Sequence, residues 1–104
     1  MIKGQMIRKV RFRNGYTLPK GSLIILNWPD AKAKPFQVEV HHGNTVFHSP
    51  AATALAWIGL TVSQEALETA MEDGTCETPS GITVEPDGID PHGVPSWLGI
   101  HGLI

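Results

Sequence analysis

SPAATALAWIGLTVSQEALETAMEDG, residues 49–74, is where the chain changes its periodicity, and that change decides the fold class. Before it, apolar side chains recur at every second position in short runs. Within it they recur at spacings of three and four. Ser49 reads as an N-cap and Pro50 as the first helical residue, where its missing N–H costs nothing. The run AATALAWIG then reaches Gly59, placed as the residue just past a helix end. Its side chains are almost all small or apolar, so this helix is expected to be buried nearly all round. A second helix, QEALETAMED, is capped by Thr61 or Ser63 and closes at Gly74. Thr61 with Gln64 three residues later fits a capping box. Helical spacing sends Ala66, Leu67, Ala70 and Met71 inward and Glu65, Glu68, Glu72 and Asp73 outward.

Two short helices joined by Gly-Leu-Thr-Val invite comparison with a helix-turn-helix. A recognition helix needs Lys, Arg, Asn or Gln toward the phosphates, whereas this one shows four acids and Gln64. A packed helical hairpin covering a sheet is the better reading.

Upstream, QMIRKVRFR (5–13) places Met6, Val10 and Phe12 on one parity and Lys9, Arg11 and Arg13 on the other, a half-buried strand interrupted by Arg8. Asn14-Gly15 predicts a type I′ hairpin turn. Tyr16-Thr17-Leu18 and the turn Pro19-Lys20-Gly21 lead to SLIILNW, an apolar run suited to a central strand, and then to the loop WPDAKAKP. FQVEV (36–40) alternates with Phe36, Val38 and Val40 inward, and His41-His42-Gly43-Asn44 turns the chain into Thr45–His48. Downstream of the helices, TCETPSGITVE reads as a hairpin around Pro79-Ser80-Gly81, followed by the loop PDGIDPHGVP and SWLGIHGLI, a final short helix or extended tail. The predicted class is α+β: a small antiparallel β-sheet or SH3-like barrel, two short helices, a short hairpin and a C-terminal tail. No internal repeat breaks this into smaller units, so residues 1–104 are expected to form one domain.

Charge divides along the same line. Residues 1–48 hold all eight Lys and Arg against two acids, a formal +6, while residues 49–104 hold eight acids and no Lys or Arg, a formal −8. Two readings are open: the halves face each other and neutralise, or each presents a pole. A basic pole suits nucleic acid and an acidic one suits a basic protein surface. Arg8, Arg11, Arg13 and Lys20, with Lys9, Lys32 and Lys34, are interleaved with Phe12, Tyr16 and Trp28, the mixture small barrels use on single strands.

Chemistry-bearing motifs are scarce. His41 and His42 are adjacent and on a strand point to opposite faces; His48, His92, His101 and Cys76 show no ligand spacing. Glu85, Asp87 and Asp90 lack the spacing and the terminal glutamate of a calcium loop, and turn-forming aspartates explain them better. No nucleophile elbow, phosphate loop, zinc-protease or dinucleotide motif occurs. The expectation is a protein without catalytic residues, metal or cofactor. No apolar run reaches the roughly 20 residues that cross a bilayer. Met1-Ile2-Lys3-Gly4 has no leader-like character, and the single Cys76 precludes an internal disulfide, so a cytoplasmic location is expected.

The stretch GITVEPDGIDPHGVPSWL, residues 81–98, uses proline and glycine to aim Trp97 and Leu98, with Leu103 and Ile104 beyond. These side chains either plug the core or seal a dimer. This closing pattern resembles the C-termini of small accessory proteins of phages and related mobile elements, over roughly the last third of the chain. The resemblance implies a protein that acts by binding, among them anti-CRISPR-like inhibitors of host defence complexes and minor virion components. The functional expectation is binding of a protein partner through the acidic face Glu65, Glu68, Glu72 and Asp73. The alternatives are a nucleic-acid module using Arg8, Arg11, Arg13 and Lys20, and a virion subunit self-associating through Trp97, Leu98, Leu103 and Ile104.

Overall fold

The computed structural model describes residues 1–29 and 37–104. Residues 30–36, with most of the expected WPDAKAKP loop, Lys32, Lys34 and Phe36, lie outside those described. Strands β1 (Ile2–Gln5), β4 (Leu23–Asn27), β5 (Gln37–His42) and β6 (Thr45–Pro50) form one sheet in the order β1-β4-β5-β6. Every pairing is antiparallel. No closed barrel is formed among the described residues, so the antiparallel sheet is what stands and the SH3-like alternative is without support. LIILN is central as its apolar run predicts, and Ile24, Leu26, Val38 and Val40 send their side chains into the core. The opposite face carries Leu23, Ile25, Glu39, His41, Val46 and His48, half-buried or exposed.

The expected strand 5–13 is broken. β1 ends at Gln5, residues 7–8 bend, and β2 (Val10–Arg11) pairs instead with β3 (Thr17–Leu18) in a separate hairpin. The break has a backbone cause: Met6 still bonds Ser22 and Gly21, whereas the Ile7 N–H donates to the Trp57 carbonyl, 2.9 Å away. The predicted parity survives the bend, since Met6 is buried and Val10 and Phe12 are half-buried. The Asn14-Gly15 turn differs as well. Of its two residues Gly15 alone has positive φ, the Phe12 carbonyl accepts from Gly15, and the Phe12 N–H reaches Tyr16. That is a three-residue loop with a left-handed glycine, not a type I′ turn, and the Asn14 side chain caps it by accepting from the Tyr16 N–H. His41 and His42 belong to β5, leaving Gly43-Asn44 as a two-residue turn.

Helix α1 (Ala51–Trp57) follows β6 without a gap. Ser49, expected to cap it, pairs with Val38 in the ladder and is buried; Pro50 holds the cap position with no side-chain bond. Gly59 ends the helix as expected. Its N–H bonds Ala56, and the Leu60 N–H bonds Leu55, the paired bonds of a left-handed glycine cap. Ala51, Ala54, Leu55 and Trp57 are buried. Phe12 meets Phe47 and Trp57 edge-on at centroid distances of 5.2 and 5.7 Å, which packs the β2–β3 hairpin against β6 and α1.

Helix α2 (Gln64–Asp73) is capped by Ser63, whose Oγ accepts from the Ala66 N–H, and closes on Gly74. Because Ser63 is the cap, Thr61 and Gln64 do not form the expected box. The inward stripe is narrower than predicted: Leu67 is buried and Ala70 half-buried, but Ala66 and Met71 are exposed. Beyond it, β7 (Cys76–Glu77) and β8 (Thr83–Val84) form the expected hairpin. The tail is a short helix, α3 (Trp97–Ile100), capped by Ser96 and ended by Gly102.

Gly4 marks the tightest backbone contact. A Cβ there would lie 2.6, 2.8 and 2.9 Å from the Cδ1, Cβ and Cγ2 atoms of Ile58. Gly4→Ala is expected to cost about 1–3 kcal/mol by overpacking. Denaturant unfolding of the two single variants and the double variant tests this: the cost should shrink sharply when Ile58 is also Ala. Additive effects would show that the contact is not the cause.

Candidate functional site

Glu65, Glu68, Glu72 and Asp73 are all exposed on α2, where helical spacing brings them together on one side. Glu65 sits in the first turn, where the helix dipole favours it, but toward the other end of the helix the local electrostatics are unfavourable in the free chain. Glu68 and Glu72 stand at i,i+4, a like-charge pair that costs a helix about 0.2–0.5 kcal/mol. Glu72 and Asp73 occupy the last turn, which contains no basic residue, and the carbonyl end of the helix dipole repels them. Gln64 offers Glu68 one long hydrogen bond of 3.5 Å. Among the described residues the one ion pair is His41–Glu39, on β5, so no described Lys or Arg lies within salt-bridge distance of any of these acids.

Beside this face runs a groove of about 550 Å³, between α2 and its preceding link on one side and the β7–β8 hairpin on the other. Glu65, Asp73 and Glu77 contribute carboxylates to it. Leu67, Cys76 and Trp97, almost fully buried, also line it. Trp97 comes from α3, so the groove exists only once the tail has folded back. The predicted acidic set therefore divides: Glu65 and Asp73 line the groove, while Glu68 and Glu72 do not. Sequence reasoning missed Glu77, Val62 and Trp97 as neighbours of the acidic helix, because a groove between elements distant in sequence leaves no periodic signal.

The hairpin wall is fixed by a buried carboxylate. Asp90 accepts from Thr78 Oγ1 at 2.7 Å and from the N–H groups of His92 and Val94 at 2.8 and 3.1 Å. Thr78 lies in the β7–β8 turn and also caps the Ser80 N–H, so the network ties the hairpin to the proline-rich loop. Ser96 Oγ adds a bond to the Pro86 carbonyl, closing that loop on itself. Turn chemistry, and not cation binding, accounts for the aspartate here.

The basic set Arg8, Arg11, Arg13 and Lys20 lies in the bend, on β2, and in the two turns flanking β3, all exposed. The aromatics interleaved with it are occupied: Trp28 is buried, and Phe12 and Tyr16 pack on Phe47. Tyr16 also bonds His42 Nδ1 through its hydroxyl. Of the tail set, Trp97 and Leu98 belong to the core, while Leu103 and Ile104 are exposed. No group of three His, Cys, Asp or Glu side chains among the described residues is arranged to hold a metal, and no helix among them is long and apolar enough to cross a membrane. No family model, curated protein or solved structure matches the chain.

Burial pushes the Asp90 carboxyl up, but hydrogen bonds from Thr78, Val94 and His92, with the charge of the His92 ring, outweigh it and hold the group below its ordinary value. A depressed carboxyl contributes stability that is complete above the unfolded value of about 3.9 and is lost as pH falls through the folded value. The Asp90→Asn protein is therefore expected to be less stable at neutral pH by about 1–3 kcal/mol and to show a flatter acid limb. Urea unfolding of both proteins between neutral pH and about pH 3 checks this; parallel profiles would remove Asp90 as the acid-sensitive tie.

Proposed function

We propose that this chain is a non-enzymatic binding protein that captures a Lys/Arg-rich macromolecular surface with the acidic face of α2. The observation that carries the reading is the charge left without a cation partner on that helix: four exposed carboxylates, two of them at the end the helix dipole disfavours, and no Lys or Arg paired with them among the described residues. A partner's cations relieve repulsion that the free protein bears, so association gains from steering and from removal of an internal cost. Taken with the resemblance of the C-terminal third to mobile-element accessory proteins, the role is that of an inhibitor occupying a basic surface of a host defence complex.

A second reading rests on a different observation. Arg8, Arg11, Arg13 and Lys20 are exposed around one hairpin and have no carboxylate partner among the described residues, which suits contacts with phosphates. It ranks lower because Phe12 and Tyr16, the rings that would stack on bases, pack against other rings. Self-association through the tail ranks lower still, since Leu103 and Ile104 are its exposed apolar side chains and Trp97 and Leu98 are committed to the core.

The acidic-face reading makes stability and binding move in opposite directions. Glu72→Lys replaces a like-charge pair with an opposite-charge pair, the acid of Glu68 standing four residues before the new cation, which is the favourable order. The cation also complements the helix terminus, so the change is expected to stabilise the free protein by about 0.5–1 kcal/mol. The same change should lower affinity for poly-lysine by roughly tenfold at low ionic strength. Thermal melts and titration calorimetry on one preparation test both. A more stable variant with unchanged affinity would remove this face from the function.

A further inference from the structure

The geometry points to a specific occupant for the groove beside α2: a single arginine or lysine side chain projecting from the partner, its alkyl stem along the apolar lining and its cation held at the Asp73 and Glu77 end, with Glu65 at the other end of the helix adding to the field. This rests on the acidic-face reading and goes beyond it, because a solvated acidic surface attracts any cation from a distance whereas a groove selects one side chain and buries it. Three features of the groove fit that ligand and no common alternative. Its volume of about 550 Å³ exceeds what one long side chain needs and leaves room for flanking backbone. Part of its lining is apolar, with Leu67, Cys76 and Trp97 joined by Val62, Ala66 and Ala70, which suits a methylene stem. Its carboxylates come from both walls, two from α2 and one from β7, and none has a cation partner among the described residues. An anionic ligand would meet three like charges, and a purely apolar one would strip water from carboxylates without replacing the lost hydrogen bonds. A basic side chain satisfies both chemistries at once.

The division of the acidic residues gives the inference its own signature. Glu68 and Glu72 lie outside the groove and act by long-range steering, so their effects should vanish as salt rises. Glu65, Asp73 and the groove walls act by contact, so their effects should persist. Ala66, exposed on the groove wall, is the place to fill the space without disturbing the core.

The test uses the full chain with a short arginine-rich peptide and a twin in which every arginine is citrulline, which keeps the shape and loses the charge. Binding is followed by calorimetry and by the indole N–H resonances of the three tryptophans. The expected result is that the arginine peptide moves the Trp97 indole resonance while the citrulline twin does not. Ala66→Trp and Asp73→Asn should each weaken binding roughly tenfold at moderate salt, with Glu68→Gln near wild type there. The indole shift on the unmutated protein keeps the test valid even if Ala66→Trp folds poorly. Binding that leaves the Trp97 resonance unmoved and survives Ala66→Trp would overturn the groove while leaving the acidic face standing. Equal binding of the citrulline twin would overturn the cationic occupant. Failure of the arginine peptide to bind even at low salt would overturn both the groove and the acidic-face reading.

Discussion

Leu67 is the one buried side chain of α2, and the behaviour of the acidic half turns on that single anchor. A helix is usually held in place by a stripe of apolar contacts. Here Ala66 and Met71 stay in solvent, and the helix presents most of its circumference to water. What Leu67 does not hold is held by the ends: the Ser63 cap, the Gly74 terminator, and the β7–β8 hairpin tied through Thr78 to Asp90. Such a helix can carry an electrostatic surplus that a core helix could not. The groove lies beside the same helix, where α2 meets β7 and α3.

The other half is built on the opposite principle. Its sheet turns Ile24, Leu26, Val38 and Val40 inward, and α1 covers them with Ala51, Ala54, Leu55 and Trp57. Fully buried Val, Leu and Ile side chains are each worth about 1.5–3 kcal/mol, so this layer is a large contributor to stability. Within this layer α1 is fastened to β1 and the bend after it, where the Ile7 N–H meets the Trp57 carbonyl and where Gly4 admits Ile58. No ion pair among the described residues links the basic elements to the acidic ones, so the charge division in the sequence persists in the folded chain as separate elements rather than as paired side chains.

Much of this was legible from local signals. The apolar run LIILN marked the central strand, Gly59 and Gly74 marked helix ends, and Ser63 was one of two caps named, because each acts within a few residues of itself. What failed was decided at a distance. Residues 5–13 alternate well enough for one strand, but the carbonyl at the end of α1 captures Ile7 and bends the chain. Ser49 has the chemistry of a cap, but Val38 claims it for the ladder. The acidic face could be read from its spacing. The groove could not, because Trp97 arrives from residues far along the chain and Ala66 looks like a core residue until the docking angle of α2 exposes it.

The most direct measurement of the central claim needs no partner. If the like charges within each half repel without compensation, added salt screens a net repulsion and stabilises the free protein. Thermal unfolding in sodium chloride up to about 0.2 M, where screening dominates over bulk salt effects, should show a midpoint that rises with concentration and a smaller rise in the Glu72→Lys protein. A midpoint that falls over the same range would mean that attraction between the halves outweighs repulsion within them, and the uncompensated acidic face would not exist.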